Sequence, residues 1–324
     1  MSGSAADRLA RQADGYLVTQ LLHTAVVLGV PDALAGGPRD AVDLAGELGA
    51  RPGPLHRVLR GLAAEEVLAE TGDGRFALTD TGRLLCAGVP GSLRDWVATR
   101  GGLYFGAAAG LPAAVRDGST PYETVHGLPF FAHLSADPAR LATFQAAMAD
   151  RSAREAGAVV AAYDAGGFSS VVDVGGGRGT LLRAVRERAP GADVVLFDLP
   201  EVVAGSDLPA AGGDFFTAVP AGADAYLLSR VLHDWDDGDA LRVLRTCRAA
   251  MRPDSVLLVV EAVLPERAAD DAAAVRMDLH MLLLLHGCER TATEYAALCA
   301  AAGLRLTRDV PTDAGVHVLE ARPA

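Results

Sequence analysis

Val171-Val172-Asp173-Val174-Gly175-Gly176-Gly177-Arg178-Gly179-Thr180-Leu181-Leu182 decides how this chain is read. A short β-branched run followed by glycines predicts a buried parallel strand that ends in a tight turn. Leu181 to Ala189 has the apolar spacing of a helix whose N-terminus opens onto that turn. Glycine lets backbone N–H groups approach a ligand closely, and the helix dipole adds partial positive charge there. The stretch predicts a site for a nucleotide-type cofactor.

Spacing narrows the choice of cofactor. The dinucleotide fingerprint G-x-G-x-x-G/A needs Gly or Ala at position 180, where this chain has Thr180. What stands here is Asp-x-Gly-x-Gly-x-Gly, from Asp173 to Gly179, which resembles motif I of the class I S-adenosylmethionine (SAM) methyltransferases. A glycine cluster alone also serves plain helix–strand packing. The next strand, Asp193 to Asp198, ends in an acid 25 residues after Asp173 (198 − 173). A carboxylate there can accept both ribose hydroxyls; a mere cap for a helix starting near Leu199 is the weaker reading, because two signals are correctly spaced.

The 324 residues are half apolar, enough for a sizeable core and two domains. All 29 basic residues are arginine and the net charge is −12, which argues against nucleic acid or an anionic membrane as partner. Cys86, Cys247, Cys288 and Cys299 show no paired spacing and suit a reducing cytoplasm, the expected location. The polar, charged start does not read as a secretory leader, and no apolar run approaches the roughly 20 residues of a membrane span. Leu282 to Leu285 reads as buried helix.

Asp7 to Gly29 carries helical spacing with apolar residues on more than one face, so it is expected to pack against a second chain or within the core. Helices at Ala41–Leu48 and Pro54–Leu68, then a ribbon at Phe76–Thr79 turning through Gly72-Asp73-Gly74, give a helix-turn-helix plus wing. A DNA-reading surface should be basic; here Arg57, Arg60 and Arg75 are offset by Glu65, Glu66 and Asp73. Asp95 to Tyr163 reads as helical, broken at Pro112, Pro121, Pro129 and Pro138. Its aromatic residues suit either a core or one wall of an apolar pocket. Further strands are expected at Gly213–Phe216, Ala225–Val231, Ser255–Val263, Leu304–Val310 and Gly315–Ala321, with helices at Asp237–Met251 and Thr291–Ala302. That makes seven strands in a doubly wound α/β sheet, the last two antiparallel because so few residues join them.

Ligands of such sheets sit beyond the carboxyl ends of the parallel strands. Gly213-Asp214-Phe215-Phe216, Ser229 to Trp235, and Glu261 all fall on that rim. Together with Leu78-Thr79-Asp80-Thr81-Gly82, Phe144 to Met148, Phe197-Asp198-Leu199-Pro200 and Glu289-Arg290-Thr291, they make the chain similar to the plant caffeate and flavonoid O-methyltransferases, in their bacterial, antibiotic-decorating branch. The similarity runs over essentially the whole chain. It implies a class I SAM methyltransferase fold: a Rossmann-like seven-stranded sheet with the last strand antiparallel (residues 99–324, of which 99–165 form a helical connector and pocket segment). In front of it, residues 1–98 would form a mainly helical, winged-helix-like dimerisation domain, and the protein a homodimer.

The resemblance also implies roles. His233 matches the general base, with Glu261 and Glu289 flanking its imidazole. Asp173, Gly175, Gly177, Asp198, Leu199, Asp214, Phe215, Ser229, Arg230 and Trp235 match cofactor contacts, Arg230 standing where plant members usually have lysine. Phe144, Met148, Asp234, Met281, Leu285 and His286 fall where the family lines its acceptor pocket, although the segment before Glu289 is one residue shorter than in plant members. A metal site is not expected, because His280 and His286 lack ligand spacing. The chemistry is coherent: a phenol with a pKa near 10 gains from a base of pKa near 7, and a carboxylate on the other ring nitrogen fixes the tautomer. The expected reaction is methyl transfer from SAM to a hydroxyl of an aromatic or polyketide-like natural product. The alternative is a relative that keeps SAM but runs hydroxylation, decarboxylation or cyclisation.

Overall fold

Helices in the first part of the computed structural model, which describes residues 4–324, begin where the sequence offers a cap. Asp40 accepts from the N–H groups of Val42 and Asp43 and starts Ala41–Leu48, which left-handed Gly49 ends. Helix Pro52–Ala64 follows, then β1 (Leu68–Glu70) and β2 (Phe76–Leu78), an antiparallel ribbon. Leu44, Leu55, Leu59, Leu62 and Phe76 share one core with Val26 and Val30. The single helix expected from Asp7 to Gly29 is two, Ala5–Ala13 and Gly15–Leu28, meeting at Asp14; Gly15 is a poor residue to carry a helix through. Leu9, Tyr16, Leu17 and Val27 on these helices are exposed. The expected proline breaks are mostly helix starts: Pro121 opens Pro121–His126 and Pro138 opens Pro138–Ala162, as a residue without an N–H to satisfy can.

The chain forms two compact units, one of residues up to Ala109 with Phe131–Met148, the other of Gly110–Phe130 with Ala149–Ala324. The second holds β3 (Ser170–Val174), β4 (Asp193–Asp198), β5 (Ala210–Gly212), β6 (Ala225–Ser229), β7 (Val256–Glu261), β8 (Val263–Leu264), β9 (Arg290–Thr291), β10 (Leu304–Pro311) and β11 (His317–Pro323). Seven of these make one sheet in the order β10-β11-β7-β6-β3-β4-β5, in which β11 alone runs against its neighbours. The remaining two, β8 and β9, pair in parallel and tie the 290 region to the chain just beyond β7. Every residue of β7 is buried, and valines and leucines of the central strands feed cores on both faces of the sheet.

Two boundaries differ from expectation for local reasons. Gly213–Phe216 is a turn, not a strand, because the Asp214 carboxylate captures the Phe216 N–H at 2.9 Å and bends the chain; the strand is β5, just before it. Helix Ala272–Leu284 stops before Leu285, and Leu282 on it is partly exposed. Among the described residues, no helix is long and apolar enough to cross a membrane.

Candidate active site

At the end of β3 the chain turns through Gly175 and Gly177, both with left-handed backbone (φ +68° and +57°). A Cβ on Gly175 would lie 2.8 Å from Val231 Cγ2 and 3.5 Å from Phe215, so the turn and these side chains need glycine to meet. Asp198, at the tip of β4, accepts the Gly177 N–H at 2.8 Å on one oxygen and the Leu199 N–H at 2.7 Å on the other. These bonds aim a half-buried carboxylate at the glycine turn and leave each oxygen a further lone pair. Phe215, Phe216 and Trp235 pack edge to face with centroids 4.8–6.2 Å apart, placing aromatic surface beside Gly175. Asp173 lies buried at the end of β3; burial, then the charge of Asp198, push its pKa up to about 7. A glycine cradle, a fixed acid and an aromatic wall fit the ribose and adenine of SAM. Leu199 is exposed beside Asp198, and Ser229 closes β6 half-buried.

Beyond Ser229 the construction changes. Arg230 has a left-handed backbone (φ +56°), and the chain drops into the short turn Leu232–Asp234. Glu261, the last residue of β7 and wholly buried, pins this turn: its Oε1 accepts the N–H groups of Val231 and Leu232, both at 2.9 Å. The buried His233 ring then meets acids on both sides. Its Nδ1 is 2.9 Å from Glu289 Oε1 and 3.6 Å from Glu261 Oε2, and its Nε2 is 3.4 Å from Asp234 Oδ1. Burial alone would lower the imidazole pKa, but Glu261, Asp234 and Glu289 outweigh it and raise it to about 9. Burial resists ionisation of Glu289, yet the His233 bond and the nearby cations keep its pKa low, whereas burial pushes that of Glu261 up. The imidazolium is thus favoured by the acids around it, with Glu289, held low, bonded directly to its Nδ1.

The three ligand-type atoms of His233, Glu261 and Glu289 lie within 4.8 Å of one another, compact enough for a small cation. Hydrogen bonds already occupy much of this set: Glu261 Oε1 holds two backbone N–H groups, and Glu289 Oε1 faces both His233 and the Arg230 guanidinium at 3.3 Å. The Arg230 side chain is committed to acids, bonding Glu155 at 2.7 and 3.3 Å as well as Glu289. Arg151 also bonds Glu155, at 2.8 Å. The sequence reading missed Glu155 and Arg151; on the Pro138–Ala162 helix they look like any i,i+4 surface pair.

Of the remaining expected pocket residues, Asp234 adjoins His233. Met281 is buried near the end of its helix and Leu285 is half-buried just past it. His286 is exposed and turns to the Thr120 hydroxyl and Glu123. Phe144 and Met148 lie half-buried in the other compact unit.

Comparison with known proteins finds relatives along nearly the whole chain. The family's O-methyltransferase domain matches residues 109–305, and its O-methyltransferase dimerisation domain residues 10–88. The chain is 41% identical to phenazine O-methyltransferase PhzM of Lysobacter antibioticus over 320 residues, 95% of this chain and 94% of that one. It is 38% identical to the mitomycin biosynthesis 6-O-methyltransferase of Streptomyces lavendulae, covering 96% and 92%. The crystal structure of the neocarzinostatin-biosynthesis O-methyltransferase NcsB1, with SAM and 2-hydroxy-5-methyl naphthoic acid bound, superposes with a TM-score of 0.83 at 31% identity, over 95% of this chain and 96% of that one.

Proposed function

The chain belongs to the O-methyltransferase family as a SAM-dependent enzyme, and from that premise we propose that it methylates a hydroxyl oxygen of an aromatic natural product, with His233 taking the hydroxyl proton. The observation that carries this reading is the buried His233–Glu289 pair at 2.9 Å. SAM, when bound, supplies an electrophilic methyl on a sulfonium sulfur. The chain supplies the rest. With Nδ1–H donated to Glu289, the lone pair of the neutral ring sits on Nε2, ready for the acceptor's proton. The imidazolium that results is held by Glu289, Glu261 and Asp234. Gly175, Gly177, Asp198, Asp214, Phe215 and Trp235 would seat the cofactor, with Asp173, Leu199, Ser229 and the backbone of Arg230 beside it. Met281, Leu285 and His286 would shape the acceptor's surroundings.

An aromatic acceptor is supported by the relatives, several of which are named for a phenazine, an aminohydroxybenzoate or a dihydroxynaphthoate, and by the apolar side chains assigned to the pocket. We assign residues 1–98 to dimerisation and 99–324 to the catalytic domain, and read the protein as a homodimer. The match over residues 10–88 and the exposed Leu9, Tyr16, Leu17 and Val27 support this, and light scattering checks it. The reaction itself is tested by incubating the protein with SAM, a chelator and a panel of hydroxylated naphthoates, phenazines and benzoates. The expected product carries one added methyl on oxygen, with the chelator without effect. Unmethylated but altered products would point to hydroxylation, decarboxylation or cyclisation instead.

A further inference from the structure

Arg290 enters the sequence reading only as a letter in Glu289-Arg290-Thr291. In the structure it heads the largest wholly buried side chains, 2% exposed. Its guanidinium spends its donors on the turn that carries His233. Nη1 donates to the carbonyls of Leu232 at 3.0 Å and Cys288 at 3.3 Å, Nη2 to the carbonyl of Trp235 at 2.8 Å, and Nε to Asp237 Oδ1 at 2.9 Å. One rigid fork thus grips the carbonyl immediately before His233 and the carbonyl two residues after it.

Gly287 completes the fit. A Cβ there would fall 1.9 Å from the His233 carbonyl oxygen and 2.5 Å from the Asp234 carbonyl carbon, so the 287–290 segment lies directly on the turn. The pairing of Arg290 with Val263 fastens that segment to the chain two residues beyond Glu261. Glu289, between Gly287 and Arg290, is carried to the imidazole by the same clamp.

We propose that Arg290, with Gly287, is a positioning residue that fixes the His233 turn so that the imidazole meets Glu289. The proposal rests on the reading of His233 as the base. Lysine is no substitute, because three donors on one nitrogen cannot span carbonyls on both sides of His233 and also hold Asp237.

The test uses the full-length protein with Arg290→Lys, Gly287→Ala and, as the mildest change, Asp237→Asn, whose side chain is largely exposed. Three quantities are read: SAM affinity by calorimetry, kcat with 1,4-dihydroxy-2-naphthoic acid or the best phenol of the panel, and the His233 titration by NMR of the labelled imidazole. The groups facing that ring are Glu261, Asp234 and Glu289. Arg290→Lys and Gly287→Ala should lower kcat by about 100-fold, the scale of a 1 Å misplacement, with SAM affinity within twofold. The His233 titration should fall from about 9 toward its ordinary value as contact with Glu289 loosens. Asp237→Asn should move both readouts the same way by less. An unmoved His233 titration and kcat in the folded variants would overturn the clamp and leave the base reading intact. A wild-type rate in His233→Ala would instead overturn the base reading beneath it.

Discussion

The glycine turn and the His233 pocket sit on the same edge of one sheet and are built in opposite ways. The turn is backbone: left-handed glycines and N–H groups fixing Asp198. The pocket is side chains brought from four places, Glu155, Arg230 with His233, Glu261, and Glu289 with Arg290. They also treat buried charge differently. Asp173 lies under the turn with Asp198 as its charged neighbour, and its proton is retained to about pH 7. In the pocket, Glu155 and Glu289 are met by Arg151, Arg230 and the imidazolium and stay ionised. A site that must admit a cationic cofactor can be cut from backbone. On the proposed reading, a site that must hold and release a proton needs charges set against each other.

If the two regions are separable, His233→Ala breaks one and spares the other. Turnover should fall by roughly 10²–10⁴-fold, the usual contribution of a positioned base, while calorimetry finds SAM affinity unchanged. In the intact protein only the neutral imidazole accepts a proton, so kcat/KM should climb with pH toward about 9. The variant should lose that limb. A large loss of cofactor affinity would show the regions to be one.

Asp198→Ala is the mirror experiment. It removes hydrogen bonds to a charged acceptor worth roughly 1.5–3 kcal/mol, about 10- to 150-fold in SAM affinity. The His233 titration should stay where it was, which NMR can follow without an acceptor.

The smallest effect sharpens the contrast in charge. The folded protein keeps a proton on Asp173 that the unfolded chain releases near pH 4, so this group's contribution to stability falls as pH rises from about 4 through about 7. Asp173→Asn removes that slope. Linkage caps the gain at about 4 kcal/mol, and an amide left unpaired there returns roughly 1–3 kcal/mol of it. Denaturant titrations should find a net gain of about 1 kcal/mol at pH 8 turning into a net loss of up to about 3 kcal/mol at pH 4, where only the amide's cost remains.

The same difference governs what the sequence discloses. The glycine turn is contiguous, and each residue is demanded by a backbone angle or a close approach, so spacing alone announces it. Asp198 follows one strand and helix later, at a distance the fold dictates. The pocket is drawn from Glu155 to Arg290, and no spacing rule links residues so far apart. Strand order puts His233 and Glu261 on the rim, while their roles, and Glu289 itself, rest on the family resemblance; Glu155, which shares Arg230 with Glu289, carries no signal in the sequence. The boundary errors have a like origin. Phe215 and Phe216 look like strand residues, but a single Asp214 hydrogen bond outweighs that preference.

The left-handed backbone of Arg230 has a consequence for anyone engineering heat resistance into this enzyme. Glycine at that position would relieve about 1–2 kcal/mol of conformational strain. It would also strip Glu155 and Glu289 of a shared counter-ion, and removing one partner of a buried pair costs roughly 3–5 kcal/mol. A thermostabilisation library ranked on backbone geometry would put Arg230→Gly near its top and recover a protein that melts earlier.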